Sequence, residues 1–181
     1  MYLSSLKLWN YRKFGSEGEI DLDNPDLCIP FKAGLNALIG ENDSGKTAVI
    51  DAIKLALKTH SYEWVRLEEE DFNNFSKRLR IECRFDGLSD DEAKNFTEWL
   101  GMEGDGEEAT PFLRVIVDVS RTDERILPVD IRAGVGDVGY SLSAEARECV
   151  KTTYLTPLSE SKPELITRKN SRFYTIFICS P

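Results

Sequence analysis

The amino-acid sequence predicts an α/β fold in which one glycine-rich loop and the helix after it are joined to an antiparallel sheet. A short apolar stretch, "GLNALIG", leads into the loop "GENDSGKT", and an amphipathic segment follows. Residues 79–85 and 112–120 alternate between apolar and polar side chains, as strands with one packed face do. A chain of 181 residues forms one domain, or one domain with a small appendage.

Three strands are predicted ahead of the loop. Apolar and polar side chains alternate over residues 3–14, which predicts the first strand. After a turn over residues 15–18, a second short strand begins at Ile20 and ends at the turn sequence "DNPD". The apolar run 34–40 predicts a third, buried strand that leads directly into the loop.

A helix is predicted directly after the loop. Val49, Ile50, Ile53 and Leu57 recur at helical spacing, while charged residues occupy the other faces. The order strand, loop, helix is the order that a phosphate-binding loop requires.

The second half of the sequence predicts the antiparallel sheet. Residues 79–85 and 112–120 each place apolar side chains on one face and polar side chains on a face that we expect to be wet. Residues 126–134 are expected to pair with the second of these strands. The acidic, glycine-rich residues 101–111 predict a loop.

Two short helices are also predicted from their first residues. Ser89 and Glu92 form a capping box for a helix that runs through Leu100. Ser143 is expected to cap a helix over residues 144–153.

The loop has the spacing of a phosphate cradle: Gly40, four residues, then Gly45, Lys46 and Thr47. The glycines let the backbone curl so that its N–H groups converge on phosphate oxygens, and the helix directs its positive end at the same anion. We expect Lys46 to reach the β and γ phosphates and the Thr47 hydroxyl to bind Mg²⁺. The residues between are expected to contribute mainly backbone groups: Glu41, Asn42, Asp43 and Ser44. A glycine-rich turn that merely caps a helix is the weaker interpretation.

The position of the loop favours ATP over GTP. Thirty-nine residues precede Gly40, whereas most small GTPases and nucleotide kinases place the loop near their first strand. The sequence also has no Asn-Lys-x-Asp stretch of the kind that reads guanine.

Composition limits the class of protein. The net charge of −9 argues against a broad face that grips nucleic acid, although Arg168, Lys169 and Arg172 form one small basic candidate. The four cysteines are far apart and form no CxxC pair, so we expect reduced, mostly packed thiols rather than zinc or disulfides. No apolar run approaches the roughly 20 residues of a membrane helix, and the N-terminus is a poor signal peptide. We therefore expect a cytoplasmic protein with no membrane partner.

Several stretches resemble a known group of ATPases. "LSSLKLWNYRKF" followed by "GLNALIGENDSGKTAVIDAIKLAL" is similar to the N-terminus of the ABC-type ATPase heads of the SMC and RecF group. "RLEEEDF", "LRIECRFDGLSDDE" and "ARECVKTTYLTPL" resemble, more narrowly, the OLD (overcoming lysogenization defect) family of ATP-dependent nucleases. The resemblance covers most of residues 1–172. It implies a P-loop NTPase lobe of the ABC, SMC and RecF type with an added antiparallel sheet, and ATP and Mg²⁺ as cofactors.

The resemblance also singles out the corner after the first strand. In the SMC and RecF group an Asn-Phe-Arg corner lies by the bound nucleotide, and Asn10, Tyr11 and Arg12 match it. The resemblance implies that Arg12, with Lys13, contacts the phosphates or the ribose. A solvated basic turn is the other interpretation.

Parts that an ABC-type head needs for hydrolysis are missing from the sequence. "RVIVDVS" places Asp118 after an apolar run, but Val119 stands where a glutamate is needed, so Asp118 is expected to be a surface residue. "SLSAEAR" lacks both glycines of the Leu-Ser-Gly-Gly signature. The Toprim nuclease domain of OLD proteins has no counterpart here. The acidic run Glu68–Asp71 is expected to be a solvated loop rather than a metal site.

We therefore expect residues 1–172 to form a partial ABC-type ATPase domain and residues 173–181 to be an apolar tail at a truncation point. A deliberately shortened chain or an edge that docks on a partner chain would also explain this tail.

The predicted function is ATP binding by the N-terminal lobe of an OLD-like, ATP-dependent DNA endonuclease. In the full-length parent, ATP-driven association of two heads as a homodimer would control nuclease action on DNA. This chain alone is expected to hydrolyse ATP poorly, if at all, and to act on no DNA. The alternative is a non-catalytic interaction module that keeps the loop but acts through partner chains.

Overall fold

The computed structural model describes residues 1–58, 67–74, 76–123 and 125–152. Within these ranges the chain forms strands, three α-helices and two 3₁₀ turns. In chain order the elements are β1 (Tyr2–Trp9), β2 (Leu27–Pro30), α1 (Lys46–Leu57), β3 (Arg78–Asp86), α2 (Asp90–Lys94), β4 (Leu100–Glu103), β5 (Thr110–Ser120), β6 (Ile131–Ala133), β7 (Tyr140–Ser141) and α3 (Ala144–Val150), with 3₁₀ turns at Glu69–Asp71 and Gly106–Glu108.

The strands form one seven-stranded antiparallel sheet. Its order is β2-β1-β3-β5-β6-β7, and β4 pairs with β5 outside this path. Leu6 of β1 lies opposite Cys83 of β3, which in turn lies opposite Val115 of β5. This register places the apolar side chains of three central strands on one face. Together with helix α1, described next, the sheet confirms the predicted α/β fold class.

Helix α1 covers that apolar face, which we call the inner face. Leu79, Ile81 and Val115 are fully buried there, and α1 contributes Ala52 and Ala56, whose small side chains let the helix approach the strands closely. The predicted helix is confirmed, but of its predicted apolar positions only Val49 and Leu57 are buried, while Ile50 and Ile53 are half-buried. Burial of roughly 25 cal/mol per Å² of apolar surface makes this layer the main source of stability.

The opposite, outer face was expected to be wet, and that expectation is wrong at its centre. Arg80 is 1% exposed, Glu82 6% and Ile116 0%. Arg80 donates to Glu82 Oε1 and to Asp118 Oδ2 at 2.5 and 2.7 Å, and its guanidinium lies over the Trp9 ring. A buried charge is tolerated because carboxylates and hydrogen bonds surround it.

The loop between β6 and β7 completes the cover of the outer face. Arg114 donates to the carbonyl oxygens of Gly134 and Gly136 at 3.0 and 2.6 Å, which holds this loop against the sheet. A Cβ at Gly139 would lie 3.2 Å from Cδ1 of Ile116, so the loop backbone contacts that side chain directly.

The first strand is shorter than predicted and ends at Trp9. Asn10 and Arg12 have φ angles of 52° and 50°, in the left-handed region, and an extended chain cannot continue through them. Tyr11 and Phe14 form an isolated antiparallel bridge across the resulting turn. We call residues 10–14 the corner.

The second strand lies on the other side of the "DNPD" sequence from the one predicted. The Asp21 carboxylate accepts from the backbone N–H of Asp23 at 3.0 Å and from Asn24 Nδ2 at 2.6 Å. This side-chain turn occupies the residues expected to form the strand, because aspartate competes well for local N–H groups. Strand β2 then pairs with β1 from Leu27 onward.

The predicted buried strand over residues 34–40 is not formed. These residues have no regular secondary structure, and Leu35 and Ile39 are 97% and 93% exposed. The neighbouring strand β2 ends at Pro30, and within the described ranges no strand runs beside residues 34–40. A buried strand needs such a neighbour, which an apolar sequence pattern alone does not supply.

Both predicted capping serines are confirmed, but the first helix is shorter than expected. Ser89 caps α2, which ends at Lys94, and Leu100 already belongs to β4. Strand β4 forms because Gly101 lies under the Phe112 ring of β5, where a Cβ would come within 2.2 Å of Cζ. Part of the predicted loop 101–111 is therefore strand. Ser143 accepts from Ala146 N and begins α3, which also ends earlier than predicted, at Val150.

Three of the four cysteines lie in the described part of the chain, and only Cys83 of these is buried. Its burial raises the pKa of the thiol to about 12. Cys28 and Cys149 are exposed, which corrects the expectation of mostly packed thiols. The fourth cysteine, the basic candidates at 168–172 and the tail 173–181 lie outside the described residues. Among the residues described, no helix is long and apolar enough to cross a membrane.

Candidate functional site

Both glycines of the predicted phosphate loop lie close to neighbouring side chains, and one of them has a positive φ. Gly45 is the N-cap of α1 with a φ of 101°, a conformation that L side chains rarely adopt. A Cβ at Gly45 would also lie 2.5 Å from Cζ of Phe14, and one at Gly40 would lie 2.7 Å from Oγ of Ser44. At Gly45 the backbone conformation favours glycine, whereas a side chain at Gly40 would require the Ser44 hydroxyl to move.

The N-terminus of α1 opens onto this loop. Val49 N donates to Gly45 O at 3.0 Å, which closes the first turn of the helix. In the described part of the chain, no side chain caps the N–H groups that precede Val49. The free N–H groups and the helix dipole together make this end a site for an anion.

Lys46 places its ammonium group over the loop. Its Nζ donates to the carbonyl oxygens of Gly40 and Glu41 at 2.8 and 2.5 Å, and to Ser44 Oγ at 3.4 Å. The positive charge is thus held at the mouth of the same loop whose backbone N–H groups attract anions. All of these acceptors are exposed, so the Lys46 ammonium can leave them for a stronger acceptor such as a phosphate oxygen.

Thr47 follows on the exposed side of the helix. It lines a surface cavity of about 470 Å³ with Lys46, Ile50 and Asp51 of α1 and with Asn36 and Leu38 from the segment before the loop. Its hydroxyl is accessible, as an Mg²⁺ ligand must be. Among the described residues no cluster of three or more His, Cys, Asp or Glu side chains could hold a metal by itself.

The predicted nucleotide contact Arg12 is held by two carboxylates. Its Nη1 donates to Asp51 Oδ2 and its Nε to Asp71 Oδ1, both at 2.8 Å. Burial opposes its charge, but the hydrogen bonds from Arg12 to Asp71 and Asp51 outweigh this and raise its pKa above the usual value. Arg12 is therefore not a solvated side chain on an exposed basic turn. Because Asp51 lies one helical turn after Thr47, Arg12 is placed beside the first turns of α1.

Asp71, which pairs with Arg12, belongs to an acidic run that was expected to be solvated. Asp71 is only 4% exposed, and its Oδ2 accepts from Glu68 N at 2.9 Å, while Glu69 and Glu70 are exposed. Beside it, burial first and then the negative charge of Asp71 raise the pKa of the Tyr11 phenol. The acidic run is thus partly structural, and its last residue fixes the corner.

The remaining loop residues are exposed: Glu41, Asn42, Asp43 and Ser44. Asp43 has a φ of 66°, and its carbonyl oxygen accepts from Lys13 Nζ at 2.5 Å. Sequence reasoning missed Asp51, Asp71 and Phe14 at this site. The spacing of Asp51 four residues after Thr47, on the same side of a helix, is the one signal that would have found any of them.

The two rejected hydrolysis motifs lie away from the loop. Asp118 is on the outer face of the sheet, whereas α1 covers the inner face. Burial opposes its ionisation, but hydrogen bonds from Arg78 and Arg80 outweigh this and keep the pKa of Asp118 below the usual value. Asp118 is thus a half-buried ion-pair partner rather than a fully exposed surface residue. Ser143 serves as a helix cap.

Comparison with known proteins agrees with this arrangement. The sequence matches the AAA ATPase domain family (AAA_15) over residues 1–178, almost its whole length. The chain belongs to this family.

Curated relatives of this AAA ATPase domain are DNA repair and chromosome proteins. The DNA replication and repair protein RecF of Pediococcus pentosaceus is 36% identical over 62 residues, which are 34% of this chain and 14% of RecF. The chromosome partition protein Smc of Fusobacterium nucleatum is 23% identical over 158 residues, 81% of this chain and 12% of Smc. The DNA double-strand break repair Rad50 ATPase of Pyrococcus abyssi is 26% identical over 140 residues, 72% of this chain and 15% of Rad50.

A solved structure supports the same fold. It comes from work on ATP-driven dimerization and DNA-stimulated activation of SMC ATPases, and it matches with a TM-score of 0.53 and 17% sequence identity. The match covers 100% of this chain and 93% of that chain. The AAA ATPase domain is therefore a P-loop lobe of SMC type with an antiparallel sheet. It spans only 12–15% of the length of the curated relatives above.

Proposed function

We propose that this chain is the ATP-binding N-terminal lobe of an OLD-like, ATP-dependent DNA endonuclease. The observation that carries the proposal is the curled loop 40–47 at the open N-terminus of α1, with the Lys46 ammonium above it. The resemblance of three further segments to OLD proteins supports the narrower assignment within the family.

The donor set of the loop fits a triphosphate and its magnesium ion. Backbone N–H groups at the start of α1 would receive phosphate oxygens, and the Lys46 ammonium would move from loop carbonyls to the β and γ phosphates. The exposed Thr47 hydroxyl would hold Mg²⁺, which neutralises phosphate charge when bound. ATP rather than GTP follows from the position of the loop in the chain and from the lack of a guanine-reading sequence.

We expect this chain to hydrolyse ATP poorly or not at all. Hydrolysis requires a carboxylate close to the metal ion and the attacking water. Asp118, the sequence candidate, lies on the outer face and is engaged by Arg78 and Arg80. The remaining hydrolytic parts, and the nuclease, belong to the full-length parent in this proposal.

DNA and a second head are proposed as partners of the parent, not of this chain alone. The solved SMC structure concerns ATP-driven dimerization and DNA-stimulated activation, and the curated relatives act in DNA repair or chromosome partition. This chain carries a net charge of −9, so by itself it lacks the excess of cations that DNA binding needs.

Titration with Mg-ATP by calorimetry tests the nucleotide site. Lys46→Ala should weaken binding at least about 100-fold, equivalent to roughly 2.7 kcal/mol, because the main cation of the loop is lost. Lys94→Ala is the matched control, since Lys94 is 72% exposed and pairs only with the exposed Asp91. Equal affinity of Lys46→Ala and the unmodified chain would contradict the proposal.

A second candidate, a non-catalytic interaction module, is favoured by one observation. Leu35 and Ile39 are almost fully exposed beside the loop, and such side chains commonly mark contact with another protein. In that case Lys46→Ala would leave partner binding intact, while Ile39→Ser would weaken it. Pull-down of partners from the source cells with both variants separates the two candidates.

A further inference from the structure

We propose that Lys13 and Phe14 are positioning residues that hold the phosphate loop in its anion-receiving conformation before nucleotide arrives. This inference rests on the proposed function, because the conformation matters only if the loop binds phosphate. It assigns these two residues a role on the loop itself, distinct from the ligand contact that the family resemblance implies for Arg12 and Lys13.

The loop has two residues with positive φ and little core packing around them. Asp43 and Gly45 have φ angles of 66° and 101° within three positions. A non-glycine residue in the left-handed region costs roughly 1–2 kcal/mol. Residues 41–44 are exposed, so packing in the core does not stabilise this conformation. Something outside the loop must stabilise it.

Lys13 and Phe14 supply that support at the two positions with positive φ, Asp43 and Gly45. Lys13 Nζ donates to the Asp43 carbonyl oxygen at 2.5 Å, which fixes the peptide that follows the left-handed residue. The Phe14 ring lies against the α-carbon of Gly45, at the point where the loop becomes helix α1. The aliphatic part of Lys13 lies against Gly45 as well, since a Cβ there would be 3.3 Å from Cδ of Lys13.

The corner that carries these side chains is itself fixed from behind. Arg12 N donates to Asp71 O at 2.8 Å, and Asn73 N donates to Asn10 O at 2.9 Å. Asn73 Nδ2 adds a hydrogen bond to Arg12 O at 2.6 Å. The support therefore runs from residues 71–73 through the corner to the phosphate loop.

A loop held in its bound conformation loses less entropy when phosphate binds, so affinity rises without a new contact to the ligand. The Phe14 side chain carries no hydrogen-bond donor or acceptor for a phosphate, so its effect on the loop comes from packing on Gly45. Loss of either side chain should thus weaken nucleotide binding through loop order, and this separates a positioning residue from a direct ligand.

The test combines ¹⁵N relaxation on the nucleotide-free chain with Mg-ATP calorimetry. In Phe14→Ala the amide order parameters of residues 43–45 should fall from about 0.8 towards 0.6, and ATP affinity should fall about 10-fold. Phe14→Tyr keeps the ring and should restore both. Lys13→Met should lower the order parameter at residue 44 and weaken ATP binding about 3-fold.

Two controls match these changes elsewhere in the molecule. Phe112→Ala removes a ring that packs on Gly101 in the sheet, and Lys77→Met removes an exposed ammonium that pairs with Asp123. Neither should change loop order parameters or ATP affinity.

The outcomes are distinguishable from failure of the proposed function. If the unmodified chain binds no Mg-ATP, the nucleotide site is wrong, while the order parameters still decide whether the corner orders the loop. Unchanged order parameters in both Phe14→Ala and Lys13→Met would overturn the inference, whatever the affinities. If Phe14→Ala fails to fold, Lys13→Met, which alters an exposed side chain, decides alone.

Discussion

Strand residues 79–85 and the segment 34–40 each contain four apolar residues in seven, but they end in opposite environments. In the core, Leu79, Ile81 and Val117 are at most 1% exposed, because α1 and two neighbouring strands cover them. In the segment, Leu35 and Ile39 exceed 90% exposure and form no ladder. An apolar pattern is buried only where other elements supply a cover.

This difference in packing means that the core stabilises the fold, while the phosphate loop, which is expected to bind nucleotide, contributes little to stability. Most of the buried hydrophobic core lies in the sheet and α1, while the phosphate loop adjoins the segment with little packing. Variants in the core should therefore change the free energy of unfolding, whereas variants of the exposed Leu35 and Ile39 should not.

Ile81→Ala should have the largest effect on stability. Ile81 is fully buried at the centre of β3, under α1, and its truncation leaves a cavity between them. We expect a loss of about 3–4 kcal/mol in the free energy of unfolding, measured by urea denaturation. A loss below about 1 kcal/mol would mean that the core is less tightly packed than its burial indicates.

Asp118→Asn should have an intermediate effect that depends on pH. The pKa of Asp118 is lowered in the folded protein, so its ion pairs stabilise the fold above the unfolded pKa of about 3.9 and are lost as the pH falls through the lower folded value. We expect a loss of about 1–2 kcal/mol at pH 7.

Urea denaturation of both proteins between pH 7 and pH 2 checks this sign. The difference between the unmodified chain and Asp118→Asn should shrink as the pH falls below about 4, since the carboxyl becomes neutral like the amide. A difference that stays constant over this range would exclude the ion pairs with Arg78 and Arg80 as its cause. Asp123→Asn, at an 88% exposed side chain, is the matched control.

Leu35→Ser should have the smallest effect on stability, within about 0.5 kcal/mol, because the side chain makes almost no contact in this chain. Urea denaturation again measures it, alongside Ile81→Ala. A loss above about 1 kcal/mol would contradict the contrast and place Leu35 in a packed environment in solution.

Most of the inner face and the loop were predictable because their signals are local. The alternation in residues 79–85, the spacing from Gly40 to Thr47, and the capping serines Ser89 and Ser143 each depend on residues within a few positions of one another. Such patterns reflect the geometry of one strand, one loop or one helix end.

The errors share a different cause. The wet outer face, the buried strand over 34–40 and the solvated acidic run were all inferred from polarity alone. Two of these outcomes depend on distant residues: Trp9 and Gly139 cover the outer face, and Arg12 pairs with Asp71. The third depends on the absence of a strand beside residues 34–40 in the described part of the chain.

The sequence by itself determined the phosphate loop, the helix after it and the inward face of the sheet, since short-range spacing specifies all three. Only the tertiary structure decided which charges are buried, where Arg12 is held and which side chains press on the loop. Those features arise from contacts between residues 30 to 80 positions apart, such as Lys13 with Asp43 and Arg80 with Asp118, and no local pattern encodes them.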